Sequence, residues 1–200
     1  KSLKDKFLND IFLWADICLC SLTNHGHCCL YNKDNLIDLD NTLLELSNIS
    51  LIYAQAGIDG VSPSDMMDSR TKSIRDILDK NNFNFLPIMS YSTKFASNFY
   101  GPFRHAADST PQFGDRKQYQ LDYRNKNDAI RSSIRCANEG ADLLMVKPGL
   151  LSLDLIQPIA SKSKKPVGAY QVSGEYAMIH AAAANSWLNL EKCALESIYS

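Results

Sequence analysis

No stretch of this sequence approaches a membrane span. Its longest apolar runs, such as residues 11–15 or 143–146, fall far short of the ~20 residues a bilayer requires. Neither sign of charge dominates, with 21 Lys and Arg against 22 Asp and Glu. That balance excludes nucleic acid or a membrane surface as the main partner. No basic segment followed by an apolar one opens the chain, so no secretory leader is predicted and a cytoplasmic location is expected. No glycine-rich dinucleotide fingerprint follows any apolar run, which weighs against an open nucleotide-binding sheet. The sequence starts at Lys1 rather than at a methionine, and a fragment is the expectation.

What is present suffices for one core. Two hundred residues with 45% hydrophobic content predict a single domain over 1–200. Apolar runs at 11–20, 58–62, 85–91, 142–147 and 167–172 read as strands, with helical patterns between them. Asp40 is the expected cap of a helix with Leu43, Leu46, Ile49, Leu51 and Tyr53 inward, and Gly57 its end. Asn127 and Gly140 bracket another, carrying Ile130, Ile134 and Ala137. Such alternation predicts a parallel sheet under helical cover. Each strand ends near a residue capable of chemistry: Cys18 and Cys20, then Ser64 and Asp65, Lys94, Lys147 and Ser173. A parallel β/α (TIM) barrel gathers such ends at one mouth. The expected fold is therefore an α/β barrel, incomplete, with about five of eight strands. The others are expected from residues outside these 200 or from another chain.

Four of the six cysteines, Cys18, Cys20, Cys28 and Cys29, fall within twelve positions. A secreted disulfide scaffold would spread them. Residues two apart on a strand face one way, so Cys18 and Cys20 are expected together, with a loop through Gly26 returning Cys28. Three thiolates hold zinc and leave a fourth position for water or substrate. His25 and His27 stand near enough to be ligands or partners of ligands, and Cys29 reads as a bystander. Soft ions such as lead or cadmium are expected to compete for such a site.

Lys147 ends the apolar run Leu143-Leu-Met-Val-Lys, and Lys94 follows the third strand. Lost hydration depresses an ammonium's pKa, and a neutral amine attacks a ketone to give an imine. Were both lysines to enter one cavity, each would lower the other's pKa further. Residues around 99–125 lose periodicity and read as a lid. In it, Arg104 and Arg116 are placed to grip a carboxylate, and Phe99, Tyr100, Phe103 and Phe113 to exclude water.

These segments resemble the porphobilinogen synthase (5-aminolevulinate dehydratase) family over nearly the whole chain. The resemblance is carried by residues 16–28, by Ser62-Pro-Ser-Asp-Met-Met-Asp68, and by residues 89–104, 114–120, 140–148 and 168–178. It implies condensation of two 5-aminolevulinate molecules to porphobilinogen, with loss of two waters. Lys147 matches the Schiff-base lysine of the P-side substrate and Lys94 that of the A-side. Arg104, Arg116 and Gln120 match ligands of the A-side carboxylate, and Ser173 one of the P-side carboxylate. Cys18, Cys20 and Cys28 match a catalytic Zn2+ triad that polarises the A-side substrate. Asp16 and Asp65 match acids lining the site, candidates for carrying protons.

The resemblance also implies a homo-octamer, built with an N-terminal arm and two first strands that lie outside these residues. So does a final strand bearing a tyrosine that binds the P-side carboxylate. Many bacterial members bind activating Mg2+ through a glutamate early in the helix after the lid. Ser132-Ser133 follows Arg131 here, so that Mg2+ site is expected to be absent. Two other readings compete: a non-catalytic remnant that keeps the motifs, and a class I aldolase, which leaves one lysine and three thiols idle.

Overall fold

The structure, a computed structural model, describes residues 2–7, 10–107 and 109–199. Its elements, in order, are α1 (Ser2–Phe7), β1 (Trp14–Ile17), β2 (Leu30–Tyr31), β3 (Ile37–Asp38), α2 (Leu39–Gln55), β4 (Gly60–Pro63), α3 (Arg70–Lys80) and β5 (Met89–Lys94). There follow α4 (Gly101–Ala106), α5 (Lys126–Asn138), β6 (Leu143–Lys147), α6 (Ile156–Ser163), β7 (Val167–Ala169), α7 (Ser173–Ala184) and α8 (Leu190–Tyr199). β1 pairs parallel with β4, and β5, β6 and β7 form a parallel row. A bridge between Val61 and Ile88 joins the two groups. The order is thus β1-β4-β5-β6-β7, with β2 and β3 as a separate antiparallel hairpin. Among the described residues β1 and β7 each pair on one side only, so no closed barrel forms. Five strands are too few for an eight-strand ring.

Helices cover one side of this row, and two apolar clusters fill the space between. Ile17, Val61 and Ile88 meet Leu46 of α2 and Ile74 and Leu78 of α3. Leu144 and Val146 meet Ala129, Ile130 and Cys136 of α5 and Ile159 of α6. Each such aliphatic side chain contributes about 1.5–3 kcal/mol when fully buried. Lys94 and Lys147 stand at the carboxyl ends of β5 and β6.

Several boundaries differ from the sequence expectation, each for a local reason. β1 stops at Ile17, where its ladder meets Pro63, and residues 19–23 turn instead. Cys18 and Cys20 therefore lie beyond the strand rather than on one of its faces. β5 starts four residues later than 85 and includes Lys94, because the chain is still turning at Phe83–Leu86. Its polar centre is sealed by α5. Ser133 Oγ lies 2.9 Å from both Ser92 Oγ and Thr93 Oγ1, and Ser132 Oγ donates to the Ser92 carbonyl at 2.7 Å. β7 ends at Ala169, well before Val172. The cap of α2 is Asp38, not Asp40, and the cap of α5 is Asn125, not Asn127. Each accepts from the backbone N–H three residues on, at 3.2 and 3.1 Å.

The turn between β4 and α3 carries backbone strain. Met66 and Ser69 both sit at left-handed φ, +78° and +63°, and Ser69 precedes α3 without a capping hydrogen bond from its side chain. An L residue costs about 1–2 kcal/mol there. Ser69→Gly relieves this, less the entropy glycine adds to the unfolded chain. The expected net gain is about 0.5–1 kcal/mol, read as a rise of about 1–4 °C in thermal unfolding. An unchanged or lower midpoint would contradict that account.

Candidate active site

The carboxyl ends of β5 and β6 stand side by side in register, Lys94 opposite Lys147. Both ammonium groups line one cavity of about 300 Å3, together with Tyr100, Arg116, Tyr170 and Ser173. A larger cavity, about 430 Å3, lies behind Phe99 and Leu151, away from both lysines. Lys147 Nζ sits 3.9 Å from the Tyr170 ring centroid and 5.2 Å from that of Tyr91. Burial and the charge of Lys94 lower its pKa to about 8, while Asp16, Cys18 and Cys20 pull the other way. The aromatic faces also favour the cation and offset part of the burial effect. Lys94 is buried and donates to the Ser64 carbonyl, which fixes its position from the neighbouring strand's end.

Three sulfurs converge beyond the end of β1. Cys18, Cys20 and Cys28 place their Sγ atoms within 4.8 Å of one another, and Cys18 Sγ lies 3.4 Å from Cys20 Sγ. Cys28 is held well below the ordinary thiol range by hydrogen bonds from Cys18 and Cys20, helped by the nearby charges of Lys94 and Arg116. Hydrogen bonding in turn pushes Cys18 well up. A soft donor set that already favours an anion is suited to a metal ion. Cys29 is not one of the three; burial raises its thiol to about 11, and the Tyr31 hydroxyl bonds to it. The histidines are not part of the sulfur cluster. His27 is buried against Tyr119 and Phe113, and His25 accepts from the His27 N–H at 3.1 Å.

The lid is more ordered than its sequence suggests, with a short 3-10 turn at Asn98–Tyr100 running into α4; position 108 lies outside the described residues. Its aromatics divide. Tyr100 is buried and donates to the carbonyls of Phe95 and Lys147 at 2.8 and 3.2 Å, and Phe103 lines the lysine cavity. Phe99 lines the other cavity, and Phe113 packs on His27, so neither screens the lysines. Arg116 Nη2 donates to the carbonyls of Gly26 and Ser109 at 2.7 and 2.6 Å. Arg104 stacks on Tyr100 at 5.5 Å. Buried polar atoms here lack partners: Nε of Arg104 and Arg116, Ser109 Oγ, and both side-chain polar atoms of Gln120. Orphaned donors cost free energy unless a ligand meets them, and an anion suits the two Nε–H groups, the hydroxyl and Gln120 Nε2, though not Gln120 Oε1, which only accepts.

Ser173 opens α7, where its Oγ accepts from the Phe103 N–H at 3.1 Å and so ties the lid helix to the mouth. The two acids separate. Asp16 is exposed on β1, its charge felt at Lys147 and Tyr91. Asp65 is fully buried, does not line the cavity, and is raised to about 6 by burial against the opposing pull of Arg70, 3.5 Å away. Sequence reasoning left the roles of Tyr170, Tyr91 and Glu175 unassigned. Glu175 accepts from the N–H groups of Leu150 and Val172 at 2.9 and 2.7 Å, which fixes the loop after Lys147. A glutamate three residues into a helix was the available signal.

A family profile described as delta-aminolevulinic acid dehydratase matches residues 1–200. The delta-aminolevulinic acid dehydratase of Helicobacter pylori is 44% identical over 198 residues, 99% of this chain and 61% of that protein. That of Bacillus subtilis is 48% identical over 186 residues, 93% of this chain and 57% of that one. A crystal structure of the Toxoplasma gondii enzyme, in complex with the reaction product porphobilinogen, superposes with a TM-score of 0.94 at 43% identity. It covers 98% of this chain and 56% of its own. This chain therefore spans about three-fifths of the length of these relatives.

Proposed function

The chain belongs to the delta-aminolevulinic acid dehydratase family, and from that premise we propose that it carries the centre that condenses two 5-aminolevulinate molecules to porphobilinogen. The observation that supports this best is the pairing of Lys94 with Lys147 at one mouth, beside three converging sulfurs. In this reading the five-strand row is part of a β/α barrel, and the complete cytoplasmic enzyme is a homo-octamer.

Lys147, neutral above pH about 8, adds to the keto carbon of the P-side molecule. The carbonyl oxygen leaves as water and a carbon–nitrogen double bond forms. Lys94, oriented by the Ser64 carbonyl, does the same for the A-side molecule and releases the second water. Each double bond draws electrons from the neighbouring carbon. When the new carbon–carbon and carbon–nitrogen bonds form at those two carbons, both lysines depart as amines. Arg104, Arg116 and Gln120 bring unpaired donors to the A-side carboxylate, and Ser173 bonds the P-side one. Asp16, exposed on β1 with its charge felt at Lys147, is the proposed proton carrier; Asp65 acts through Arg70 and the turn it holds. Cys18, Cys20 and Cys28 would hold Zn2+, which supplies a Lewis acid for the A-side substrate when bound. Ser132 and Ser133 direct their hydroxyls at β5, and no stimulation by Mg2+ is expected.

The test is borohydride trapping with 5-aminolevulinate, followed by peptide mapping. Label is expected on Lys147, with a trapping rate that rises about tenfold per pH unit and levels off above pH about 8. Lys94→Met removes the neighbouring charge, so the midpoint should move to higher pH. Label confined to exposed lysines would refute the assignment.

A further inference from the structure

The loop that carries Cys28 is bound to the lid by a set of hydrogen bonds that neither amine chemistry nor sulfur ligation requires. The Gln112 N–H donates to the His25 carbonyl at 3.0 Å, and Arg116 Nη2 donates to that of Gly26 at 2.7 Å. His27 lies between the two segments. Its Nε2 is 2.9 Å from the Phe113 carbonyl, which can only accept, so Nε2 bears the proton. Nδ1 is then left to accept from the Tyr119 hydroxyl at 3.0 Å. The same hydroxyl accepts from the Cys28 N–H at 3.3 Å. One phenol thus joins a lid residue, a buried imidazole and the peptide of a sulfur ligand. Contact is close throughout: a Cβ on Gly26, at φ +71°, would come within 2.8 Å of the Thr110 carbonyl oxygen.

We propose that Tyr119 and His27 form a latch through which metal binding at Cys18, Cys20 and Cys28 orders the lid, and lid closure in turn tightens the metal. This rests on the functional reading above, in which those thiols hold Zn2+ and the lid takes a carboxylate. Three sulfurs drawn onto one ion fix the Cys28 peptide, whose N–H fixes the Tyr119 hydroxyl. Tyr119 and Arg116 then hold residues 109–120 over the cavity. By linkage, whatever free energy metal contributes to lid order, lid order returns to metal affinity. Tyr119 and His27 are positioning residues and touch no reacting atom.

The full chain, stripped with chelator and titrated with Zn2+ alone, tests this. The readouts are zinc affinity by chelator competition and the rate of tryptic cleavage at Lys117 and Arg124, exposed lid sites. Zinc is expected to slow that cleavage about tenfold, within the usual range of such couplings. In Tyr119→Phe, zinc should bind about tenfold more weakly and no longer slow cleavage, while borohydride labelling of Lys147 persists. Cleavage that rises equally with and without zinc would mark a merely structural role and overturn the latch. So would a variant that keeps both affinity and protection. If Tyr119→Phe does not fold, His27→Gln is read by the same criteria. A parent chain that binds zinc without a response in the lid sinks the latch alone. One that binds no zinc sinks the metal reading and the latch together.

Discussion

Lys147→Met is expected to remove the P-side borohydride-trapped adduct with 5-aminolevulinate, leaving label on Lys94 alone, and to lower turnover of the complete enzyme by roughly 10^4-fold or more. Lys94 is held by the Ser64 carbonyl at the adjacent strand's end, and in the proposed reading it serves the A-side molecule instead. Methionine is close to lysine in length and removes a half-buried charge from among Tyr91, Tyr100 and Tyr170. Folding should therefore be unharmed, since a cation raised by desolvation in the native state is replaced by an apolar side chain. Thermal unfolding at or above the parent midpoint, alongside lost labelling, separates chemistry from stability. Mapped label retained at the parent rate on a residue other than Lys94 would place the P-side imine elsewhere.

The second large effect falls on the sulfurs. Cys20→Ala leaves two thiols, and zinc affinity is expected to fall about 10^3-fold or more, because loss of even an outer partner of a ligand costs 10–100-fold. Turnover should fall with it. The imine at Lys147 should still form, since its pKa is set first by burial and by Lys94. The removed thiol is one of the weaker influences holding that amine protonated, so trapping at pH 7 should be equal or slightly faster. Atomic absorption on the purified variant and trapping on the same sample give both readings. Full zinc content in Cys20→Ala would displace the ligand assignment to Cys29 or a histidine.

The sequence made some of this legible and hid the rest for identifiable reasons. The three cysteines were found by spacing, although the geometric premise was wrong. Cys18 and Cys20 lie past the end of β1, and a turn, not a strand face, brings their sulfurs together. β5 was misplaced because Met89-Ser-Tyr-Ser-Thr-Lys94 looks polar. Its hydroxyls are buried because Ser133 of α5 and Arg70 and Thr71 of α3 supply partners, a tertiary fact that periodicity cannot carry. The β2–β3 hairpin went unread since its strands have two residues each. The lid's helix α4 is six residues long, too short to show a period. Tyr170 stood within a recognised segment, yet its place over Lys147 depends on where β7 ends. Lys147 was the most transparent feature, because a charge closing the continuously apolar run Leu143-Leu-Met-Val stands out in the sequence, and that strand is buried throughout its centre.

The central claim is that the amine-bearing cavity and the sulfur site act on the same bound molecules. Zinc-edge X-ray absorption on the zinc-loaded protein, before and after 5-aminolevulinate, tests it most directly. The expected spectrum has three sulfurs and one lighter atom, and the lighter shell changes on adding substrate. A four-sulfur shell, or a three-sulfur shell indifferent to substrate, would contradict it.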